Sequence, residues 1–399
     1  MILLISLLFC IPSLLFITVL VLGLNAKRKE EIDIINHKPC AILIPAHNET
    51  EVIEATLKHL IGIIGKNDEI FVVADNCTDD TAEKARNTGV NVFERFDNQN
   101  RGKGFALDFG SKLITSNYDF ETVVVFDADC LFEPDSYSKL VCKSQTANSV
   151  VQSQYLMLSP NNERIDLKIS EFTWAVKNDL RARGMKTLGL GCHIQGSGFA
   201  FPTSILRDIS LASSSIVEDL ELGLNLALKG QPAIYFDEAK VFSYFPENKE
   251  GAASQRKRWE HGHLGMIKMF PKYAYKAIKN FDLKTFALLV DAAIPPTILW
   301  ILTLSTLSML ALLLNIYIEN SFLIFIPACF LITTVLLIFT WFTYGKSITS
   351  SIKFNDVVDF LSSKLTVYSS FFKKPETEWV KTKRDVKNEL SHGEKNDKS

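Results

Sequence analysis

The segment Thr122-Val123-Val124-Val125-Phe126-Asp127-Ala128-Asp129 governs how this chain is read. Its first five residues carry no charge and three of them are valine, the composition of a buried parallel strand. Two carboxylates follow, with one small residue between them. Side chains alternate across an extended strand, so Asp127 and Asp129 share a face as long as the chain stays extended. Ligands of open α/β sheets bind beyond the carboxyl ends of the strands, where this pair would sit. Two close carboxylates repel unless a cation lies between them. Oxygen ligands suit Mg2+ or Mn2+, ions that commonly hold phosphates. Taken alone, D-x-D is equally the way a strand ends and a turn begins, so the rest of the chain has to choose.

On either side of it, residues from Pro39 to Tyr244 alternate strand and helix signals, the mark of a parallel α/β sheet. Cys40 to Ile44 reads as the first strand, followed by the turn Pro45-Ala46-His47-Asn48-Glu49 and a helix over Thr50 to Leu60. Glu69 to Ala74 is the second strand, Asp75 to Asp80 follows it and opens the next helix, and Val90 to Glu94 is a short third strand. Arg101-Gly102-Lys103-Gly104 opens a helix through Leu113, and Val150 to Gln154 follows the D-A-D strand. Ile165 to Arg183 is an amphipathic helix with Ile165, Ile169, Phe172 and Val176 on one face.

At 399 residues with a net charge of −2, the chain can hold one large domain plus more and shows no nucleic-acid footprint. Its seven cysteines are scattered, with no C-x-x-C pair, which argues against a disulfide framework or zinc site and fits a reducing, cytosolic compartment.

Apolar residues concentrate in three runs. Ile2 to Leu24 is long enough to cross a bilayer core of about 30 Å and is followed by Lys27-Arg28-Lys29. A cleaved signal would carry its charge before the run, so an uncleaved anchor with a cytoplasmic basic cluster is expected. Phe286 to Leu314 and Phe322 to Phe342 form an expected transmembrane hairpin, joined through Asn315 to Ser321. Pro295-Pro296 interrupts the first of these, so the turns before it, with Asp291, are expected at the interface rather than in hydrocarbon. Lysines after Gly345 place the tail in the cytoplasm, and the last residues from Ser391 read as disordered. The expected organisation is therefore an anchor (1–26), a cytoplasmic catalytic domain (38–262), an interfacial segment (263–285), the hairpin (286–345) and a basic tail (346–399), a multi-pass protein of the plasma membrane.

Several chemistries lack their motifs. No G-x-G-x-x-G follows the first strand, no P-loop is present, and neither G-x-S-x-G nor H-E-x-x-H occurs. What remains is a set of polar turns that parallel-sheet logic places along one edge. Asp75 and Glu49 could accept hydrogen bonds from a base or ribose, and each is equally a turn or capping residue. Lys103, between glycines, could approach a phosphate or stand in solvent. Glu218-Asp219 opens a helix over Val217 to Lys229, where carboxylates are stabilising in any case, and a general base must be an ionised group within reach of a hydroxyl. Gln195-Gly196-Ser197-Gly198 precedes the apolar Phe199-Ala200-Phe201 and either leaves room for a substrate or simply turns. Gln255-Arg256-Lys257-Arg258-Trp259 would meet anionic membrane lipid, or hold phosphate through Arg258 and stack a sugar on Trp259.

In this order the series Pro45-Ala46-His47-Asn48-Glu49, Asp75, Asp127-Ala128-Asp129, Glu218-Asp219, Gln255-x-x-Arg258-Trp259 resembles the family 2 glycosyltransferases, the membrane-bound synthases related to cellulose, hyaluronan and poly-N-acetylglucosamine synthases. The resemblance implies a GT-A fold, a Rossmann-like and mostly parallel α/β sheet, carried by one N-terminal and two C-terminal transmembrane helices. It implies an inverting hexosyltransferase that moves a sugar from a UDP-sugar to a growing polysaccharide or lipid-linked glycan. Donor contacts would come from Pro45, Ala46, Glu49, Asp75, Lys103, Asp127 and Arg258. Asp127 and Asp129 would hold Mg2+ or Mn2+, and Asp219 would be the base. Gly196, Ser197, Glu218, Gln255 and Trp259 would line the acceptor side. Val217 stands where the family often has Thr, and three spans are fewer than polymerising members carry. Polymer export would then need a homo-oligomer or an export partner, and single-sugar transfer is the rival. The alternative class is a non-catalytic, nucleotide-sugar-binding or scaffold subunit, for which Asp219 would have no use.

Overall fold

The computed structural model of the chain describes residues 2–26, 37–161 and 163–373. In chain order its elements are α1 (Ile2–Asn25), β1 (Cys40–Ala46), α2 (Ile53–Ile61), β2 (Glu69–Asp75), α3 (Thr81–Asn87), β3 (Asn91–Arg95), α4 (Lys103–Asn117), β4 (Thr122–Val125), β5 (Leu131–Phe132), α5 (Ser136–Ala147) and β6 (Val151–Leu158). Then come α6 (Ile165–Ala175), α7 (Arg181–Thr187), β7 (Phe199–Pro202), α8 (Thr203–Arg207), α9 (Glu218–Leu228), β8 (Ile234–Tyr244), α10 (Lys249–Ile267), α11 (Phe270–Lys279), α12 (Leu283–Ala293), α13 (Thr297–Ile318), α14 (Phe325–Thr343), α15 (Lys346–Thr349) and α16 (Phe354–Lys373). They divide into two compact units. One holds the sheet; the other is helical and comprises α1, α6, α7 and residues 259–373.

The sheet has eight strands in the order β3-β2-β1-β4-β7-β6-β8-β5. β3, β2, β1 and β4 are mutually parallel, with Leu43 of β1 opposite both Phe71 and Val125. β7 runs against β4 and β6, β6 and β8 are parallel, and β5 closes the edge antiparallel to β8. The sheet is mixed, mostly parallel, and packs with helices as the GT-A fold does. Ile42, Leu43, Ile44, Phe71, the three valines of β4, Phe199 and Phe201 are all buried. Each such side chain contributes about 1.5–3 kcal/mol of burial, which is why these uncharged runs became strands covered on both faces.

Three local expectations change. β4 stops at Val125, so strand alternation does not carry through to Asp127 and Asp129; the pair sits in a turn in which the Cys130 N–H donates to the Asp127 carbonyl (3.2 Å). β1 reaches Ala46 and β2 reaches Asp75, so Pro45, Ala46 and Asp75 end strands rather than follow them. The helix expected over Ile165 to Arg183 runs to Thr187 with one wider, π-type turn at Val176–Leu180, and belongs to the helical unit.

Within the helical unit, three helices are long and apolar enough to cross a membrane: Ile2–Asn25, Thr297–Ile318 and Ser321–Thr343. α1 lies against α7 so closely that a Cβ at Gly23 would strike the Leu180 backbone and one at Gly184 the Val19 backbone. Only glycine permits such an approach. Phe16, Leu20, Phe172, Val176, Leu180, Ile294, Trp300 and Leu304 form the core there. Asp291 is buried and meets the Arg181 guanidinium at 2.7 Å. Pro295-Pro296 separates α12 from α13 as its ring chemistry requires. The basic cluster 27–29 and the tail from 374 lie outside the described residues.

Candidate active site

Four segments far apart in sequence converge beyond the end of β4. The reversal of β7 brings in one of them. Its first residue, Phe199, pairs with Val125, the last residue of β4, so the turn before β7 lies beside the turn after β4. Ser197 is fully buried, and its Oγ accepts from the Asp127 N–H (3.0 Å). Behind it, Gln152 on β6 donates through Nε2 to the Ser197 carbonyl (3.0 Å) and accepts at Oε1 from the Gln195 N–H (2.9 Å). Ser153 Oγ donates to the Gly198 carbonyl (2.6 Å). The turn is thus held from the sheet side by a buried polar strand.

Lys103 stands at the centre. It is the first residue of α4, reached from Gly102 at φ 121°, a conformation side-chain-bearing residues rarely take. Its ammonium lies 2.6 Å from Asp127 Oδ1, donates to the Gly196 carbonyl at 2.8 Å, and is 4.0 Å from Glu218 Oε1. Gly196 has φ 97°, and a Cβ there would lie 3.4 Å from Asp219 Oδ2 and 3.9 Å from the ammonium. Glu218 and Asp219 occupy the first turn of α9, where the helix dipole favours negative charge. Asp219 Oδ1 accepts from the Leu220 N–H (2.8 Å).

The electrostatics are those of a negative surplus. Burial alone would lower the Lys103 pKa, but Asp127, Glu218 and Asp219 outweigh it and hold the ammonium above the usual lysine range. Burial, then the adjacent Asp219, pushes the Glu218 carboxyl up to about 7, with Lys103 opposing. One cation serves several carboxylates, and one of these keeps a proton near neutral pH.

A second group sits at the ends of β1 and β2. Asp75 is buried and accepts from Arg95 Nη1 at 2.6 Å and from Asn76 Nδ2 at 3.0 Å. His47 Nδ1 lies 2.6 Å from the Asp75 carbonyl oxygen, which ties the Pro45–Glu49 turn to the end of β2. The Glu49 carbonyl accepts from the Val52 and Ile53 N–H groups and starts α2.

The residues present fit a divalent cation. Ligand atoms of Asp127, Asp129 and Cys130 lie within 4.8 Å of one another. Cys130 is buried, and burial, then Asp129, keeps its thiol protonated well above its ordinary pKa, so it is no ligand for a hard ion. The two carboxylates are the oxygen donors Mg2+ and Mn2+ take. The Lys103 ammonium against Asp127 is itself a stand-in cation, and marks where positive charge is wanted.

Residues 41–209 match the family described as Glycosyl transferase family 2. A family 2 glycosyltransferase domain thus lies within this chain. The chain is 25% identical over 290 residues to the poly-beta-1,6-N-acetyl-D-glucosamine synthase of Staphylococcus aureus, an alignment covering 69% of this chain and 66% of that protein, just under two thirds of its length. The Staphylococcus epidermidis protein of the same name is 26% identical over 343 residues, covering 82% of this chain and 79% of that one. The structure of a mannosyltransferase from Pyrobaculum calidifontis, in complex with GDP-Man and Mn2+, matches with a TM-score of 0.55 at 14% identity, over 94% of this chain and 100% of that one. At that identity the likeness is one of fold.

Of the residues the family resemblance singles out, Lys103, Asp127, Gly196, Ser197, Glu218 and Asp219 form one cluster, with Asp129 two residues beyond Asp127 in the same turn. Asp75 joins Pro45, Ala46 and Glu49 through His47. Gln255 and Arg258 lie on α10, the helix that begins in the sheet unit and ends in the helical one. Trp259, where the chain re-enters the helical unit, packs on Trp174 of α6 with ring centroids 5.0 Å apart. Sequence reasoning missed Arg95 and Gln152. Arg95 left no signal beyond a charge ending a short strand. Gln152-Ser153-Gln154 did: three polar residues inside a strand with no exposed face imply a polar job within the sheet.

Proposed function

We propose that this glycosyltransferase is an inverting enzyme that moves a hexose from a UDP-sugar to a hydroxyl of a growing polysaccharide or lipid-linked glycan at the cytoplasmic face of the membrane. The observation that carries the reading is the convergence of Lys103, Asp127, Gly196, Glu218 and Asp219 around a single ammonium, with Asp129 adjacent. A surplus of carboxylates at the carboxyl ends of strands is suited to a cation and a diphosphate. The chain's similarity to two poly-N-acetylglucosamine synthases supports a glycan product.

In this reading Asp75 and Glu49 take the uridine, with the Pro45-Ala46 backbone beneath it, and Arg95 fixes the Asp75 carboxylate in one orientation. Asp127 and Asp129 hold Mg2+ or Mn2+, which when bound offsets the charge that gathers on the departing diphosphate. Lys103 and Arg258 add positive charge on the donor side. Asp219 accepts the proton of the acceptor hydroxyl; the oxygen attacks the anomeric carbon from the face opposite the diphosphate, and the bonding pair leaves with UDP. Gly196 leaves space beside Asp219 for that hydroxyl, and Ser197, Glu218, Gln255 and Trp259 contact the acceptor sugar. Glu218 keeps its own proton up to about pH 7, which leaves the base's part to its neighbour.

The test is transfer from a panel of radiolabelled UDP-sugars by the full chain in proteoliposomes with Mn2+ or Mg2+, followed by sizing of the product. A polymer ladder means processive synthesis, and a single lipid-extractable product means one-sugar transfer. Transfer from none of the panel, with UDP still bound, would return the chain to the class of binding subunits.

A further inference from the structure

Past Phe126, whose N–H donates to the Leu43 carbonyl (3.1 Å), the chain that carries Asp127 and Asp129 leaves the ladder of β4. Buried backbone groups outside a ladder need partners of another kind. Two elements supply them. On one side Ser197 takes the Asp127 N–H (3.0 Å). On the other side stands α2. Thr56, fully buried, donates through Oγ1 to the Ala128 carbonyl (2.7 Å), and the half-buried His59 accepts at Nε2 from the Phe132 N–H (3.1 Å). The two side chains are three residues apart and share a face of the helix.

These bonds bear on the two carboxylates one by one. A peptide unit is planar, so a bond to its N–H or carbonyl sets the plane from which the next side chain departs. The Asp127 N–H belongs to the Phe126–Asp127 unit, and the Ala128 carbonyl to the Ala128–Asp129 unit. Ser197 therefore orients the backbone at Asp127, and Thr56 the backbone at Asp129. Burial holds the His59 ring below its ordinary pKa, so it is neutral at physiological pH and its Nε2 lone pair is open to the Phe132 N–H. α2 itself grows out of the Pro45–Glu49 turn, its first bonds running from the Val52 and Ile53 N–H groups to the Glu49 carbonyl (3.1 and 3.0 Å). One helix thus joins the turn after β1 to the D-A-D turn after β4.

We propose that Thr56, backed by His59, is a positioning residue for the metal-holding turn: its hydroxyl fixes the Ala128–Asp129 peptide so that the Asp129 carboxylate meets Asp127 across one divalent cation. The threonine acts through the peptide and not as a ligand. Valine in its place would keep the volume and leave a carbonyl of the turn without its donor. Groups that orient a metal ligand typically carry about 10–100-fold of the metal affinity. The inference rests on the reading in which Asp127 and Asp129 hold Mg2+ or Mn2+.

The test measures Mn2+ binding, not turnover. The full chain in detergent, with UDP present, is titrated with Mn2+, and the free ion is followed by its electron paramagnetic resonance signal. Thr56→Val is expected to bind Mn2+ about tenfold more weakly than the unaltered chain. Thr56→Ser, which keeps the hydroxyl, should regain most of that affinity. Equal affinity in Thr56→Val, even with a lowered thermal midpoint, makes Thr56 a packing residue and overturns the proposal. So does a loss that Thr56→Ser shares in full, because the hydroxyl then plays no part. If Thr56→Val does not fold, His59→Leu carries the test: weaker Mn2+ binding supports the proposal and unchanged binding overturns it. An ion that the unaltered chain does not take up, or that Asp129→Asn still binds in full, removes the cation from this pair. That result fails the metal reading and this inference with it, and is distinct from a failure of Thr56 alone.

Discussion

The Lys103 cluster of the sheet unit and the ion pairs of the helical unit handle charge in opposite ways. In the sheet unit, Lys103 faces Asp127 and Glu218 with Asp219 close by, and the carboxylates are partly open to solvent. In the helical unit each buried carboxylate meets its own cation: Asp291 meets Arg181, Asp179 meets Arg183 at 2.7 Å with Tyr344 Oη donating at 2.5 Å, and Glu260 meets Lys364. The first arrangement is short of positive charge and gains when a cation or a proton arrives. The second is balanced, and any removal leaves an orphan charge. Surplus with access therefore marks chemistry, whereas balance without access marks architecture.

Asp219→Asn probes this contrast hardest. Loss of a positioned general base should cut transfer by about 10²–10⁴-fold, with donor binding and the thermal midpoint unchanged. A collapse of the midpoint would move Asp219 to the structural class. Asp291→Asn should do the reverse, lowering stability by about 3–5 kcal/mol by leaving Arg181 buried without its counter-charge. The double change Arg181→Met/Asp291→Leu should restore most of that stability in a detergent unfolding assay. If Asp291→Asn instead abolishes transfer at full stability, the contrast between the units fails.

Gly196→Ala sits between the two. A positive φ costs about 1–3 kcal/mol for a residue with a Cβ, and the new methyl would press on Asp219. Transfer should fall by about tenfold to a hundredfold, seen in kcat more than in the KM for donor. The smallest effect is a pH slope. The folded chain holds a proton on Glu218 up to about 7, whereas an ordinary glutamate loses it near 4.5. Between those values the native state binds more protons than the unfolded one, so this group's contribution to stability falls as pH rises through the window. Glu218→Gln should flatten that part of the stability profile; an unchanged slope would mean that Glu218 titrates as an ordinary carboxyl.

Much of the sheet was legible because uncharged, valine-rich runs have few other destinations. Cys40–Ile44 and Thr122–Val125 became neighbouring parallel strands as their composition demands. The site was legible as a list of residue types but not as an arrangement. Strand alternation wrongly extended β4 through Asp127, because local pattern cannot say where hydrogen-bond partners end. Arg95 was invisible because its partner, Asp75, lies twenty residues away on another strand. The helix at Ile165 has an apolar face that fits either a sheet or other helices, and nothing local chooses between them.

Composition and spacing were enough for the chemical inventory: carboxylates, one lysine between glycines, three apolar helices and the residue order shared with family 2 glycosyltransferases. All of these are local properties, readable along the chain. The backward run of β7 beside β4 is a property of the folded molecule alone. That single reversal brings the Gly196 turn to Asp127, where Lys103 is the cation shared by Asp127 and the distant Glu218. Strand direction depends on which neighbour offers a matching hydrogen-bonded edge, and no window of sequence contains that neighbour.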